Sequence, residues 1–273
     1  MAQISIKSNE IAAIIDHTLL NPWATKEEVI RLCEEANQLK CAAVCVNESR
    51  IVDTVSALKK LKSKVKVCCV IGFPLGACTT TIKVCSALDA IKNGAEEIDM
   101  VINVGFLREN EVERFEDDIK AVMEAIDEYN KANKTNVLLK VILENCYLTD
   151  DEIIKATSTI AAFAGEHLDT KVFVKTSTGF GTPQKSPSKK TEIGATIHDI
   201  GIMKRAIDDA TLNEDRKTYK YVVGIKAAGG IRDRESALNI MKAGGCFDEN
   251  NKLKKDYREF FRIGASATKE ICK

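Results

Sequence analysis

Neither sign of charge predominates. Lys plus Arg and Asp plus Glu balance at 40 each over 273 residues. That excludes a broad electrostatic surface for nucleic acid or an anionic membrane, so any phosphate must be met by a local site. Long hydrophobic runs are also missing, and none approaches the ~20 residues that span a bilayer. The N-terminal stretch has no apolar core of about 7–15 residues ahead of a cleavage site, so no secretory signal is expected and the reading is cytoplasmic. Histidine occurs only at 17, 167 and 198, unpaired at ligand spacing. A metal site therefore lacks its usual donors, and neither a metal nor another cofactor is expected. The turn after the first expected strand, Asp16-His17-Thr18-Leu19-Leu20-Asn21-Pro22, contains no glycine, which argues against a dinucleotide-binding open sheet.

Cysteine, by contrast, is plentiful. Ten are spread from Cys33 to Cys272, none in C-x-x-C spacing and several inside apolar runs such as Val67-Cys68-Cys69-Val70. They read as small buried hydrophobes of a reducing compartment.

Apolar runs of strand length alternate with longer amphipathic segments. Strands are expected over 14–20, 41–46, 65–71, 96–102, 137–143, 171–176, 221–226 and 260–265. A short helix capped by Ser8 or Asn9 precedes the first strand. Helices are expected over 26–39 with a Thr25/Glu28 capping box, and over 49–61, 80–93, 111–129, 149–164, about 191–210 and 234–243, with one more at the end of the chain. Eight strand–helix repeats predict a parallel sheet closed into a single (β/α)8 TIM barrel over 1–273, with no internal repeat and no linker.

In such a barrel the C-terminal strand ends carry the active site. The polar residues expected there are Asp16, Cys45, Asp99, Asn103, Glu144, Lys175 and Lys226. Lys175 follows Val172-Phe173-Val174 and shares the Phe173 face of its strand. A buried unpaired lysine is costly unless it serves as a nucleophile toward carbonyls; the bland reading is a strand-end lysine that reaches water. Lys226 closes Val222-Val223-Gly224-Ile225, and Gly224 on its face leaves room for it. At about 5 Å and an effective dielectric of about 20, two such lysines repel by about 3 kcal/mol, enough to lower one from about 10.4 to about 8. The bland reading of Lys226 is a salt bridge to Glu144 or Asp16. Asp99 is either a proton relay or a counterion for the lysines. Gly179, Gly229-Gly230 and Gly264-Ala265-Ser266 follow the last three strands, where backbone N–H groups and a helix starting near Ser266 would meet a phosphate. Glycine also ends strands for steric reasons. Cys45 either faces the substrate or belongs to the core.

These segments resemble the deoxyribose-phosphate aldolase family. The match rests on Val172-Phe173-Val174-Lys175-Thr176-Ser177-Thr178-Gly179-Phe180, Val223-Gly224-Ile225-Lys226-Ala227-Ala228-Gly229-Gly230-Ile231 and Glu97-Ile98-Asp99-Met100-Val101-Ile102-Asn103. Asp16-His17-Thr18-Leu19-Leu20, Val141-Ile142-Leu143-Glu144 and Arg262-Ile263-Gly264-Ala265-Ser266 match too, in order from about Ile14 to Ser266. The resemblance implies a class I, metal-free lyase on a (β/α)8 barrel. It would cleave 2-deoxy-D-ribose 5-phosphate reversibly to D-glyceraldehyde 3-phosphate and acetaldehyde in deoxyribonucleoside catabolism. By the same resemblance Lys175 forms the Schiff base, Lys226 is the second lysine that eases loss of its proton, and Asp99 relays protons through water. Asp16 holds Lys226; Thr18, Cys45 and Thr176 line the sugar site; Gly179, Gly229, Gly230, Gly264 and Ser266 hold the phosphate. Small phosphosugars and aldehydes are the implied partners, with a homodimer as the expected assembly.

The chain departs from that pattern in places. Phe180 stands where some members carry a lysine, and Ala267 where some carry a second serine. The 179–190 loop looks long, and its Lys185, Lys189 and Lys190 are candidates to compensate. Some members end in a tyrosine that reaches the site, whereas the sequence here ends Ile271-Cys272-Lys273. The competing readings are a transaldolase-like Schiff-base enzyme, a phosphosugar-binding barrel without catalysis, and a metal-assisted enzyme.

Overall fold

Short runs of β-branched and small apolar residues pair edge to edge, all parallel, in the computed structural model, which describes residues 6–166, 170–183, 192–212 and 223–273. The strands are β1 (Ile15–Leu19), β2 (Ala43–Val46), β3 (Lys66–Ile71), β4 (Glu97–Val101), β5 (Leu138–Ile142), β6 (Val172–Lys175), β7 (Gly224–Ala228) and β8 (Phe261–Ala265). Their spatial order is their chain order, and β8 pairs with β1 to close the barrel. The helices are α1 (Ser8–Ala12), α2 (Lys26–Leu39), α3 (Ile51–Lys60), α4 (Thr80–Lys92), α5 (Val104–Arg108), α6 (Val112–Asn133), α7 (Asp150–Glu166), α8 (Ile197–Leu212), α9 (Arg234–Ala243), α10 (Tyr257–Phe260) and α11 (Thr268–Ile271). The expected (β/α)8 barrel is thus the observed fold. None of the described helices is long and apolar enough to cross a membrane.

Strand alternation divides the core in two. Val172 and Val174 of β6 point outward into the large apolar layer between barrel and helices, as do Val44, Cys69, Ile98, Met100 and Val141 of other strands. The inward positions make a smaller cluster of Leu20, Ala43, Cys45, Cys68 and Val70 on one side of the barrel. The other side carries charge. This division follows from the two-residue period of a strand flanked by helices on its outer face.

Several boundaries differ from expectation for identifiable reasons. Helix α1 starts at Ser8, but its N-cap is Lys7, whose backbone N–H donates to Glu10. Helix α2 starts as expected, with the Thr25/Glu28 capping box formed both ways. Helix α5 was not anticipated. Asn103, expected in the site, caps it by accepting from the N–H groups of Gly105 and Phe106. Helix α8 begins at Ile197 rather than near 191, because Ala195 N–H is tied to the carbonyls of Ala228 and Gly229. The Thr196 hydroxyl then accepts from Asp199 N–H and opens the helix. Strand β7 runs later than expected, since Ala227 and Ala228 pair with Ile263 and Gly264 of β8; Tyr221 and Val222 lie outside the described residues. Helix α11 is a single turn from Thr268, too short to supply the helix-end field anticipated near Ser266.

The interior glycine also has a different function from the one expected. A Cβ on Gly224 would lie 2.3 Å from the Phe173 ring, so Gly224 makes room for Phe173. The space beside Lys226 comes from Gly264, where a Cβ would approach Lys226 Cε to 3.1 Å.

Candidate active site

Parallel register brings the charged inward positions side by side. Asp99 of β4 is level with Lys140 of β5, and Lys175 of β6 with Lys226 of β7. Asp16 of β1 enters from the far side of the closure. Lys175 and Lys226 each donate to Asp99 Oδ2 at 2.7 Å. Lys140 donates to Asp99 Oδ1 at 3.0 Å and to Glu97 at 2.5 Å. Lys226 also lies 2.5 Å from Asp16 Oδ2, and Lys140 lies 3.4 Å from it. Both Asp16 oxygens lack a directed hydrogen bond, so Asp16 holds Lys226 through charge contact. Three ammonium groups thus meet three carboxylates inside the barrel.

The electrostatics follow from that arrangement. Burial works to raise the Asp99 carboxyl, but Lys140, Lys175 and Lys226 overcome it and hold the group well below the usual carboxylate range. Burial opposes ionisation of Asp16 as well, and Lys226, Lys140 and Arg262 reverse it. Burial likewise works to lower Lys226 and Lys140. Asp16 and Asp99 prevail at Lys226, and Asp99, Cys68, Glu97 and Asp16 at Lys140, so both stay above the usual lysine range. The counterion reading of Asp99 is thus present in the structure, since its Oδ2 stands between Lys175 and Lys226 and offsets their repulsion. The alternative salt bridge of Lys226 to Asp16 is also present, while Glu144 instead accepts from the N–H and hydroxyl of Thr178.

Above this cluster a cavity of about 680 Å³ opens at the C-terminal strand ends. Lys175, 3% exposed, reaches its floor, and Thr18, Gly179, Gly229, Gly230, Gly264 and Ser266 line its walls. Lys226, Asp99 and Asp16, each 0% exposed, lie beneath and do not line it. Thr18 donates its hydroxyl to Asp16 carbonyl at 2.7 Å. Thr176 is fully buried, its hydroxyl bridging to the N–H and carbonyl of Ala228, so it ties β6 to β7 instead of facing the cavity. Cys45 sits in the inner apolar cluster, where the neighbouring Cys68 side chain and the charges of Lys226 and Lys175 outweigh burial and hold its thiol below the usual value.

The cysteines are mostly the buried small groups expected, with Cys78 half-buried and Cys85 exposed. Burial pushes the Cys33 and Cys41 thiols up to about 12, which keeps them protonated. Cys68 does more than fill space, since its thiol donates to Asp99 Oδ1 at 3.1 Å.

Sequence reasoning missed four participants. Lys140, hidden in Leu138-Leu139-Lys140-Val141-Ile142, is a lysine at the middle of an apolar strand, whereas Lys175 ends its strand. Glu97 and Cys68 share its inward face. Arg232 lines the cavity rim, one residue beyond the Gly229-Gly230-Ile231 segment. Phe180 also lines the rim and packs edge-on against Phe73, ring centroids 5.3 Å apart. Lys185, Lys189 and Lys190 lie outside the described residues.

Potential metal donors do converge. Cys45, Cys68 and Asp99 bring ligand atoms within 4.8 Å of one another, as do Asp16, Cys68 and Glu97. The carboxylates in both groups already face lysine ammonium groups, whose charge opposes a cation. A third group, Asp150, His198 and Asp199, joins the first turns of α7 and α8, with His198 2.6 Å from Asp150.

Comparison with known proteins places this geometry among relatives. Residues 11–267 match the DeoC/LacD family of aldolases. A deoxyribose-phosphate aldolase of Thermococcus gammatolerans is 42% identical over 235 residues, covering 86% of this chain and 89% of the relative. A crystal structure from Coccidioides immitis, provisionally assigned as a deoxyribose-phosphate aldolase, is 34% identical with a TM-score of 0.74. It covers 98% of this chain and 86% of its own. The tetrameric deoxyribose phosphate aldolase of Aeropyrum pernix is 25% identical with a TM-score of 0.68, covering 97% of this chain and 91% of its own.

Proposed function

The chain belongs to the DeoC/LacD family of aldolases, and from that premise we propose that it is a deoxyribose-phosphate aldolase working through an imine on Lys175. The substrate is 2-deoxy-D-ribose 5-phosphate, and the products are acetaldehyde and D-glyceraldehyde 3-phosphate. One observation carries the assignment of Lys175: of the three lysines clustered on Asp99, it alone reaches the cavity. Lys140 and Lys226 are held as cations by two or more carboxylates each.

The Lys175 amine adds to the sugar aldehyde carbon and water leaves, forming a protonated imine. The bond between C2 and C3 then breaks. Its electron pair moves into the imine to give an enamine, and the C3 hydroxyl loses its proton to become the carbonyl of glyceraldehyde 3-phosphate. Protonation of the enamine at C2 and hydrolysis release acetaldehyde and restore Lys175. Asp99 is closed off from the cavity, so protons pass to it through Lys175 or a water beside it. Lys226 keeps Asp99 ionised and in place. The glycine backbones of the rim, with Ser266, take the phosphate, and Arg232 adds a cation there.

Borohydride reduction in the presence of acetaldehyde tests the proposal. The expected product is a reduced adduct on Lys175 alone, located by mass spectrometry. A label on Lys226 would transfer the role, and no label at all would overturn the imine mechanism.

A further inference from the structure

Glu144 has no part in the chemistry above, yet it is 2% exposed and holds a left-handed backbone conformation with φ of +57°. A bulky residue rarely adopts that conformation unless its surroundings impose it, and such strain collects at functional sites. The imposing bonds lie on either side of it. Leu143 N–H donates to Lys175 carbonyl and Asn145 N–H to Thr176 carbonyl, both at 2.9 Å. The Glu144 side chain is thereby turned under the segment that follows Lys175. Its carboxylate accepts from Thr178 N–H at 3.2 Å and 3.3 Å and from the Thr178 hydroxyl. The Thr178 oxygen in turn accepts from Phe180 N–H at 2.9 Å. The chain then folds back over the carboxylate at Gly181, where a Cβ would lie 2.4 Å from Cys146 Sγ and 3.4 Å from Glu144 Oε1.

The turn fixed in this way contributes Thr178, Gly179 and Phe180 to the cavity rim. Gly179 rests against Gly229, whose added Cβ would come within 3.5 Å of Gly179 Cα. A movement of the turn therefore shifts the rim that faces Gly229 and Gly230. We propose that Glu144 is a positioning residue: through Thr178 it sets the 177–180 turn, and with it the hold on the phosphate end of the substrate. This rests on the deoxyribose-phosphate reading. Preorganised backbone donors bind an anion well because they need not reorganise when it arrives.

The test compares deoxyribose 5-phosphate with free deoxyribose, alongside inorganic phosphate as an inhibitor, in wild type, Glu144→Ala and Thr178→Val. In Glu144→Ala the KM for the phosphorylated sugar is expected to rise at least tenfold, and phosphate inhibition to weaken in parallel. The kcat/KM for free deoxyribose should stay within about threefold, and acetaldehyde with borohydride should label Lys175 as in wild type. Thr178→Val should move the same ratio in the same direction, and it carries the test if Glu144→Ala does not fold. Equal losses on both sugars, or an unchanged ratio in a folded variant, would overturn the proposal. Absence of Lys175 labelling in wild type would overturn the functional reading instead, whatever the variants do.

Discussion

Lys175 and Lys226 donate to one and the same oxygen of Asp99, each at 2.7 Å. Their nitrogens are thus no further apart than twice that distance, yet the charge between them is negative. Lys226 is consequently both a neighbour of the nucleophile and the chief countercharge of Asp16, 2.5 Å away. Removing it leaves Asp16 buried with, among the described residues, the more distant Lys140 and Arg262, at 3.4 Å and 3.9 Å. Lys226→Leu is therefore expected to lose about 3 kcal/mol of stability in urea titration, the lower end for breaking a buried pair. Adding Asp16→Asn should restore more than half of that loss, because the orphaned charge is gone. Activity should stay at least about a hundredfold below wild type in both. If activity returned together with stability in the double variant, Lys226 would have no role beyond ion pairing.

The same cluster sets the acid limit of the fold. Asp16 and Asp99 are held below the ordinary aspartate value of 3.8. A depressed carboxylate contributes stability that is present above its unfolded value and lost as pH falls through the folded one. Glu144 acts in the opposite sense: burial raises it above 4.5, although the Thr178 bonds oppose this. Its contribution is full below the unfolded value and lost as pH rises through the folded one. The Glu144 contribution is constant below its unfolded value, so the loss at Asp16 and Asp99 governs there, and the melting temperature should decline as pH drops below about 4. Asp99→Asn should lower the melting temperature at pH 7 and flatten this acid decline. A decline of equal steepness in that variant would mean the acid limit arises elsewhere.

How much of this was legible depended on whether a signal was local. The barrel was legible because each strand is an apolar run and each helix an amphipathic one, and eight alternations admit few other parallel sheets. Lys175 and Lys226 stood out at the ends of such runs. Lys140 did not, because it sits at the middle of one, where a lysine is tolerated only if carboxylates from other strands reach it. Those partners, Glu97 and Asp99, lie about 40 positions away in sequence (|i−j| of 43 and 41). Thr176 was misplaced for a simpler reason: strand alternation turns it away from the face of Lys175. The role of Gly224 was misread because Phe173, its neighbour across the strand pair, is invisible in the sequence of β7.

The phosphate end yields a further prediction. The rim offers glycine backbones, the exposed Ser266 and Arg232, while Phe180 supplies an apolar edge. Binding energy from a remote phosphate is used at the reacting centre, so its loss should reduce kcat as well as raise KM. Free deoxyribose is expected to have a kcat/KM at least about a hundredfold below the phosphorylated sugar, with part of the deficit in kcat. Arg232→Ala should narrow that gap by weakening only the phosphorylated substrate. Steady-state kinetics on the two sugars decide it, and an equal effect of Arg232→Ala on both would remove Arg232 from the phosphate site.

Two interior glycines separate packing from chemistry. Gly224 faces the Phe173 ring, and an added Cβ would lie 2.3, 2.4 and 2.6 Å from three of its atoms. Phe173 is fully buried, so the ring has no open space to enter, and overpacking of this kind costs about 1–3 kcal/mol or more. At Gly264 an added Cβ would lie 3.1 Å from Lys226 Cε, the far end of a long side chain, and 3.1 Å from Ala228 Cβ, both tight but short of a clash. There Lys226 can yield by a few tenths of an ångström, at a stability cost of about 1 kcal/mol, the low end for overpacking. That small displacement, however, falls on the ammonium group that Asp16 and Asp99 share. Gly224→Ala should therefore lower the melting temperature sharply while its folded fraction still forms the Lys175 adduct at the normal rate. Gly264→Ala should keep most of its stability but form the adduct at least about tenfold more slowly. If Gly264→Ala formed the adduct at the wild-type rate, the position of Lys226 would not limit the reaction, and Asp99 with Lys175 would suffice.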